Sequence, residues 1–547
     1  MNLLEEPWLP VRRADGSRTW ITPTALADPA LVAFDADRPD FNGALAQFAI
    51  GLLQTTAPVE TNTEWRGLFR NPPDAATLEQ WFAPLRAAFE LDGDGPRFMQ
   101  DLTLRPDEGA TNDIGALLIE TPGEQTLKNN ADHFIKRGQA DAACPHCAAT
   151  ALLTLQINAP SGGAGHRTGL RGGGPLTTVV ACQPPRSLWQ DLWLNVREQG
   201  AFLDHSGDRT LTEPHYTFPW LADITALQTE KGELAPIQVH PAHVFWAMPR
   251  RIRLDLEQTQ SGICPLCGRA SDRLVRQYVA KNYGLNYKGA WDHPLSPYYQ
   301  DKDEWRALHP QPGGIGYRHW LGWVLGAATE SNKALRRARV VSHVLASGRG
   351  VLEGQLRLWA FGYDMDNMKA RCWYEASLPL YGLNECDVDA QRRIEEAVSQ
   401  WLAAADEAAD ALVNAVKNAW FPIGLSKDWS AEKKKKFKAD IVAQFWANTE
   451  ADFYRQLRDL ITLARVDGDI DYRAFAQTWL ARLRRVAVNL FDSQLVGAGA
   501  IERQNPRRAA EAYRQLQRNL DGKKIRRALG LPVADKTRSA NAAHAQP

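Results

Sequence analysis

The sequence predicts an α+β fold: a large mixed α/β domain over residues 1–388, a four-helix bundle over residues 389–530, and a short tail over 531–547. Three observations predict it. Glycine, proline and short β-branched runs punctuate the chain as far as about residue 390, after which it turns rich in Ala, Leu, Arg and Glu. Apolar residues in that second part return at helical spacing. Two Cys-Pro-x-Cys pairs lie inside the first part, separated by the 116 residues Ala148–Ile263, which suits a fold tied together across a long insertion.

Taken in order, Trp8–Val11 and Thr19–Ile21 read as short strands, and Asp40 as the N-cap of an apolar helix through Leu45, Phe48, Ile50 and Leu53. Residues 75–90 suggest a second helix, and Thr177–Val180 a strand. The bundle's stripes run Ile394, Val398, Trp401, Ala405, Leu412, Val416, then Phe453, Leu457, Leu460, Ala464, then Phe475, Trp479, Leu483, Val486, Leu490. A fourth helix follows Pro506 with Ala509, Tyr513, Leu516 and Leu520. The Lys433–Lys436 run reads as the solvated start of a helix, and 531–547, small and polar, as disordered.

Charge is balanced, 64 Lys+Arg against 64 Asp+Glu, but unevenly spread. Residues 1–100 carry 14 acids and 8 bases, whereas 503–530 carry 9 bases and 2 acids, and 250–290 carry 8 bases and 3 acids. Local basic stretches can meet a polyanion whatever the total, although solvated helix faces have the same composition. Arg507, Arg514 and Arg518 are spaced to share a helix face. No segment is apolar and long enough to span a bilayer, and MNLLEEPWLP places acids where a signal peptide needs cations, so a cytoplasmic protein with no membrane partner is expected. Most of the 19 tryptophans should be core anchors.

Cys144-Pro-His-Cys147 and Cys264-Pro-Leu-Cys267 each put two thiolates on one tight turn, the knuckle geometry that tetrahedral zinc requires. Four thiolates close the coordination sphere, so the expected Zn2+ is structural. His146 reads as a surface residue of its knuckle, and Cys182, Cys372 and Cys386 as buried thiols. Between the knuckles, seven of the thirteen residues Gly162–Gly174 are glycine. No Gly-Lys-Ser/Thr follows, which excludes a nucleotide P-loop. Such a run is either a flexible connector or a nest of backbone amides for an anion, with Arg167 and Arg171 adding charge.

These pieces occur in one order: Glu6-Pro-Trp-Leu-Pro10, the first knuckle, the glycine run with Gly169-Leu-Arg-Gly-Gly-Gly-Pro-Leu-Thr-Thr178, Cys264-Pro-Leu-Cys-Gly268, Trp291-Asp-His-Pro-Leu-Ser-Pro297 and Phe361-Gly-Tyr-Asp-Met-Asp-Asn-Met-Lys-Ala-Arg371. The ordered set resembles the large subunit of the type I-E CRISPR Cascade surveillance complex, the CasA family, over most of the chain. The resemblance implies a non-catalytic subunit that joins crRNA-containing Cascade subunits and reads the protospacer-adjacent motif (PAM) of double-stranded target DNA from the minor groove. It also implies help in opening the duplex for R-loop formation and recruitment of the helicase-nuclease.

The family's glycine loop falls on Ser161, Gly162, Gly163, Ala164 and Gly165, where Ser161 and Ala164 replace glycines. Its lysine finger falls at Lys281 or the adjacent Asn282, with Lys281 favoured. Its glutamine wedge falls on Asp366, Asn367, Met368 and Lys369, without the glutamine. A loop lying near the guide and the motif falls on Phe134, Ile135 and Lys136. The minor groove offers a degenerate code suited to tolerant reading of a short motif, while guide pairing carries the sequence. Two other classes compete: a zinc-dependent nucleic-acid-processing enzyme, for which no H-x-E…C-x-x-C or HExxH signature is present, and a protein-docking scaffold without DNA reading.

Overall fold

The computed structural model describes residues 1–121, 139–326, 334–347, 355–366, 369–381, 386–422, 430–466, 470–497 and 505–533. The chain is mixed α+β with a C-terminal helical region, and it falls into two compact units. One comprises Met1–Gln311 with Arg336–Leu380, the other Pro312–Leu335 with Tyr381–Pro547.

In the first unit, β1 (Leu9–Arg13) pairs antiparallel with β2 (Arg18–Ile21) on one side and β3 (Leu31–Phe34) on the other. Helix α1 (Pro39–Thr56) follows and is buried almost all round, because apolar and small residues occupy every face. Asp40 is not its cap. Pro39 takes the first helical position after Arg38, and Asp40 lies inside the first turn, its carboxylate held by Arg38 and Tyr363. From α1, Phe48 meets Trp8, Phe89, Phe98 and Trp246 edge to face at 5.0–6.1 Å. Helices α2 (Asn62–Arg70) and α3 (Ala75–Phe82) are capped by Thr61 and Asp74, and α3 continues as a 3-10 turn to Phe89.

Helix α4 (Pro145–Asn158) leads from the first knuckle into the glycine-rich segment. Strand β5 (Thr177–Gln183) follows, and the short α5 (Leu188–Trp193) brings Trp189 and Trp193 into a stack with Trp65. The indole N–H groups of Trp65 and Trp193 reach the carbonyls of Val196 and Trp65, so tryptophan serves the core here. Strand β4 (Ala110–Asp113) pairs with β9 (Gln277–Lys281), which pairs with β6 (Arg251–Leu254), all antiparallel. Strands β7 (Gln260–Ile263) and β8 (Ala270–Leu274) form a separate hairpin around the second knuckle, and β10 (Tyr298–Asp301) and β11 (Glu304–Ala307) another. The unit closes with a hairpin of two twelve-residue strands, β12 (Gln355–Asp366) and β13 (Lys369–Leu380), laid against β5 in the order β13–β12–β5.

The second unit carries α7 (Val388–Trp420), α8 (Ala431–Arg465), α9 (Tyr472–Leu490), α10 (Pro506–Leu520) and the short α11 (Lys523–Ala528); α6 (Arg339–Ala346) belongs to the first unit. Asp387, Ser430, Asp471 and Asn505 cap the four long helices through side-chain bonds to backbone N–H groups. Each stripe read from the sequence turns inward: Trp401 on α7, Phe453 on α8 and Trp479 on α9 are buried together, and the Trp479 indole donates to the Trp401 carbonyl at 2.9 Å. Tyr317, from the earlier segment of this unit, stacks on Phe453 and shares a 2.8 Å hydrogen bond with Thr449. Lys433, Lys434 and Lys436 are exposed on the first turns of α8.

Candidate metal centre and nucleic-acid interface

Two backbone devices bring the knuckles together. Cys144 is the residue before α4, with Pro145 at the first helical position, so its side chain leaves the chain just where the helix starts. Cys264 follows β7 directly, and the Cys264-Pro-Leu-Cys267 turn closes through Gly268 N to Cys264 O at 2.8 Å and Cys264 N to Arg269 O at 2.8 Å. A two-way backbone bridge between Ala143 and Val275, at 2.8 and 2.9 Å, then clamps the first knuckle to the far end of the β7–β8 hairpin.

The sulfurs of Cys144, Cys147, Cys264 and Cys267 all lie within 4.8 Å of one another, and those of Cys144 and Cys267 are 3.8 Å apart. Zinc–thiolate bonds of about 2.3 Å set an edge of about 3.8 Å between sulfurs of a tetrahedron, so the donor set fits zinc in size and type. Cys144 and Cys264 are buried among Ala142 and Leu274, and Cys147 and Cys267 are half-buried. The Cys144 amide points at the Cys264 sulfur at 3.3 Å. The four thiols hydrogen-bond one another, which lowers the pKa of Cys264 and raises that of Cys147, so the cluster shares its protons as a unit. With four thiolates there is no open position for water or substrate, so an ion here would brace α4 against the β7–β8 hairpin and do no chemistry. His146 stays outside the set: its Nδ1 faces the Arg269 guanidinium at 3.4 Å, and Arg269 in turn lies over the Trp20 ring. Cys182 and Cys386 are buried as expected, but Cys372 is only half-buried, because it sits on the edge strand β13.

Beyond α4 the glycine-rich segment divides in two. Residues Ser161–Gly165 form a largely exposed loop in which, among the described residues, the amides of Gly162, Gly163, Ala164 and Gly165 have no backbone acceptor. Asn282 latches this loop: its Nδ2 donates to the Ala164 carbonyl at 2.9 Å, and the next amide, Tyr283 N, donates to Gly165 O at 2.8 Å. Gly165 is obligatory at this point, since its φ is +82° and a Cβ would meet the Asn282 Cβ at 2.6 Å. Lys281, one residue earlier at the end of β9, turns elsewhere, with its Nζ 3.9 Å from Glu108 and its side chain 42% exposed. The structure thus brings Asn282, rather than Lys281, to the glycine loop.

The second half of the segment goes inward. Arg171, expected to lend charge to an anion, is instead buried; its guanidinium bonds Gln47 of α1, Thr177 and Ser296, and burial pulls its pKa down to about 10. Flanking glycines let the backbone sink between neighbours, which takes Arg171 with it. Arg167 is also engaged, donating to the carbonyls of Thr229 and Glu230 and lying over the Tyr283 ring. Gly174 packs on Tyr363 and Met365 of β12, so the segment ends against the hairpin strand just before its tip.

At that tip, Asp366 and Lys369 pair across the strands, and Arg371 binds Asp364 and Asp366. Asn367 and Met368, and likewise Phe134, Ile135 and Lys136, lie outside the described residues. Sequence reasoning missed Arg250, which reaches the Pro160 carbonyl and His166 and so braces the start of the loop. It also missed Tyr283, held at φ +63°, a conformation that is strained for a side-chain-bearing residue. The Asn282-Tyr-Gly284 sequence directly after a strand was the available signal for a tight reversal there. In the second unit Arg507, Arg514 and Arg518 are exposed, whereas Arg508 turns back to the last carbonyls of α7 at Ala419 and Trp420. No described helix is long and apolar enough to cross a membrane.

Fold and site define a class: a two-unit α+β protein in which a tetrathiolate cluster lies at the head of the helix leading to an exposed glycine loop, beside a long hairpin. The model of the CRISPR-associated protein Cse1 family matches residues 2–490, and the chain belongs to that family. Its fold is shared with CasA of Thermus thermophilus, at TM-score 0.65 and 17% identity over 97% of this chain and 99% of that one. Cse1 of Thermobifida fusca matches at TM-score 0.65 and 16% identity over 97% and 99%. A chain of a CRISPR RNA-guided surveillance complex matches at TM-score 0.65 and 16% identity over 95% and 99%.

Proposed function

We propose that this chain is the non-catalytic large subunit of a type I-E RNA-guided surveillance complex. In that role it assembles with the crRNA-bearing subunits in the cytoplasm and recognises the PAM of double-stranded target DNA from the minor groove. It then helps to part the duplex for R-loop formation and recruits the helicase-nuclease. Membership of the Cse1 family supports the assembly, and a fold neighbour is itself a chain of such a complex.

The observation that carries the DNA-reading part is the exposed loop Ser161–Gly165, with the Asn282 amide group against it and the amides of Gly162 to Gly165 turned away from any backbone acceptor among the described residues. Backbone amides and a carboxamide are the right tools for phosphate oxygens and for the acceptors on a minor-groove floor. Lys281, at the end of β9 one residue before Asn282, adds a charge for the backbone, and the stretch Asp366, Asn367, Met368 and Lys369 provides the wedge that separates the first base step. Phe134, Ile135 and Lys136 serve near the guide and the motif, as the family resemblance implies. Zinc on the four cysteines is structural, and the long helices between 389 and 530 act as a four-helix bundle, in one compact unit with Pro312–Leu335.

The test is target binding by the reconstituted RNA-guided particle, with and without this chain, over a library of flanking motifs. Motif-dependent binding and strand opening should appear only when the chain is present. Equal opening of targets in its absence overturns the proposal.

A further inference from the structure

The elements assigned to the duplex sit on different parts of the chain, yet the glycine-rich segment and the hairpin each send one buried anchor to the same helix. Asp40, Gly43 and Gln47 lie three and four residues apart on α1, hence on one face. Tyr363 of β12 donates its hydroxyl to Asp40 Oδ2 at 2.7 Å, and both residues are buried. A Cβ on Gly43 would meet the Phe361 ring at 2.7 Å and the Trp373 ring at 3.0 Å, so the two hairpin strands press directly on the helix backbone. One turn further, Gln47 accepts from the Arg171 guanidinium while its own Nε2 donates to the Gly43 carbonyl. Arg38, which grips Asp40 with both Nε and Nη2, also reaches Glu120 at 3.2 Å.

The chemistry of these contacts is costly for a purely structural purpose. Arg171 is a fully buried cation whose side-chain partners, Gln47, Thr177 and Ser296, are all neutral, where a leucine would pack without desolvation cost. What the arginine adds is direction: its bond to Gln47 fixes the second half of the glycine-rich segment on α1, its bonds to Thr177 and Ser296 orient it there, and backbone bonds from Gly169 N to Ala159 O at 3.0 Å and from Gly174 N to Asn158 O at 3.2 Å tie that half to the root of the loop Ser161–Gly165. The Asp40–Tyr363 bond does the same for the hairpin. A helix is stiff over the two turns involved, so it transmits position between the two without slack.

We propose that the Asp40–Gly43–Gln47 face of α1 is a ruler that sets the glycine loop and the hairpin tip at the spacing of one duplex end, with Tyr363 and Arg171 as its positioning residues. This rests on the DNA-reading role proposed above and adds to it the residues that fix the geometry of reading. Neither positioning residue touches DNA.

The experiment measures, in the reconstituted RNA-guided complex, the ratio of affinities for targets with the preferred and a disfavoured flanking motif, together with the salt dependence of binding. Tyr363→Phe keeps the ring and removes one hydroxyl, and Gln47→Leu removes the one acceptor of Arg171 that lies on α1. Each should lower the ratio by roughly two- to thirtyfold, the span that coupling through packed side chains covers. The salt slope should stay unchanged, since no phosphate contact is lost. Gln47→Glu, which keeps an acceptor for Arg171 while giving up the donor to the Gly43 carbonyl, should lower the ratio less than Gln47→Leu does, an outcome that mere destabilisation does not give. Asn282→Ala in the loop itself serves as the comparison. If Asn282→Ala lowers the ratio while Tyr363→Phe, nearly isosteric and folded, leaves it intact, the ruler is refuted and the reading role stands. If neither changes it, the reading role fails and takes the ruler with it.

Discussion

Stripping the metal from the four cysteines should destabilise the first unit by about 5 kcal/mol and leave the second untouched. The magnitude follows from the chain that the ion closes. Cys147 and Cys264 bound a loop of 118 residues inclusive, and cross-linking such a loop removes about 16 cal/mol/K from the unfolded ensemble, or about 5 kcal/mol at 25 °C. The first unit comprises 311 plus 45 residues, 356 in all. At about 2.1 cal/mol/K per residue its unfolding entropy is about 750 cal/mol/K, so the loss corresponds to a fall in Tm of about 7 °C.

Calorimetry of the full chain, before and after treatment with a thiol-compatible chelator, resolves this, with metal content measured in parallel. One zinc per chain is expected. Of the two transitions, only the one belonging to the first unit should move, and cobalt substitution should give the visible bands of a tetrahedral thiolate site. Cys264→Ser, at the buried sulfur, should reproduce the chelated state. A metal-free chain that melts at the same temperature, or a Cys264→Ser protein that does so, would falsify the staple.

Three other outcomes follow from named contacts. His243 is fully buried between Tyr216 O and Tyr287 Oη, and burial holds its pKa down to about 4. The unfolded chain takes up this proton near pH 6.5 while the folded one refuses it, so the contribution is complete above that pH and is lost as pH falls toward 4. By pH 5 it costs about 2 kcal/mol, and a His243→Gln protein should show a correspondingly flatter stability profile between pH 7 and 5 in urea titrations. In the second unit, Trp479→Ala removes a fully buried indole and its bond to Trp401, and should cost about 4 kcal/mol of that unit's stability, read as a downward shift of its own transition. At the loop, Lys281→Ala should weaken DNA binding by the assembled complex evenly across motifs and reduce the salt slope by about 1, whereas Asn282→Ala should relax motif preference and leave the slope unchanged. The reverse pattern would exchange the roles of the two residues.

What the sequence disclosed and what it withheld separate along one physical line. Periodicity located the four long C-terminal helices because a buried face is written locally, every third or fourth residue, as Trp401 and Trp479 demonstrate, whereas α1 was legible as an apolar stretch buried on every face. The paired cysteines were legible for the same reason, since a knuckle is a four-residue object, and the clustering of all four sulfurs follows once two knuckles exist. Arg171 was not legible. Its partners Gln47 and Ser296 are more than a hundred residues away in either direction, and a glycine-flanked arginine looks the same whether it faces water or α1. Arg508 is a similar case, counted with a basic stretch but used to finish another helix.

The same line explains why Lys281 and Asn282 are hard to tell apart from composition. Successive side chains of a strand point to opposite faces, so at its end one residue of register decides which side chain meets a neighbour. Strand β9 fixes that register from within: Tyr278 and Val279 are buried, Lys281 pairs with Arg251 across the ladder and faces Glu108, and the reversal at Tyr283 then swings Asn282 over the glycine loop. A carboxamide suits that place better than an ammonium. It can donate to the Ala164 carbonyl and still present its own oxygen outward, whereas a lysine has no acceptor to offer and would turn its charge on the protein's own backbone. The arrangement of side chains at this corner therefore leaves the Lys281 ammonium facing Glu108 and the directional contact on Asn282, and on the proposed reading role these adjacent residues, pointing apart, divide affinity from discrimination.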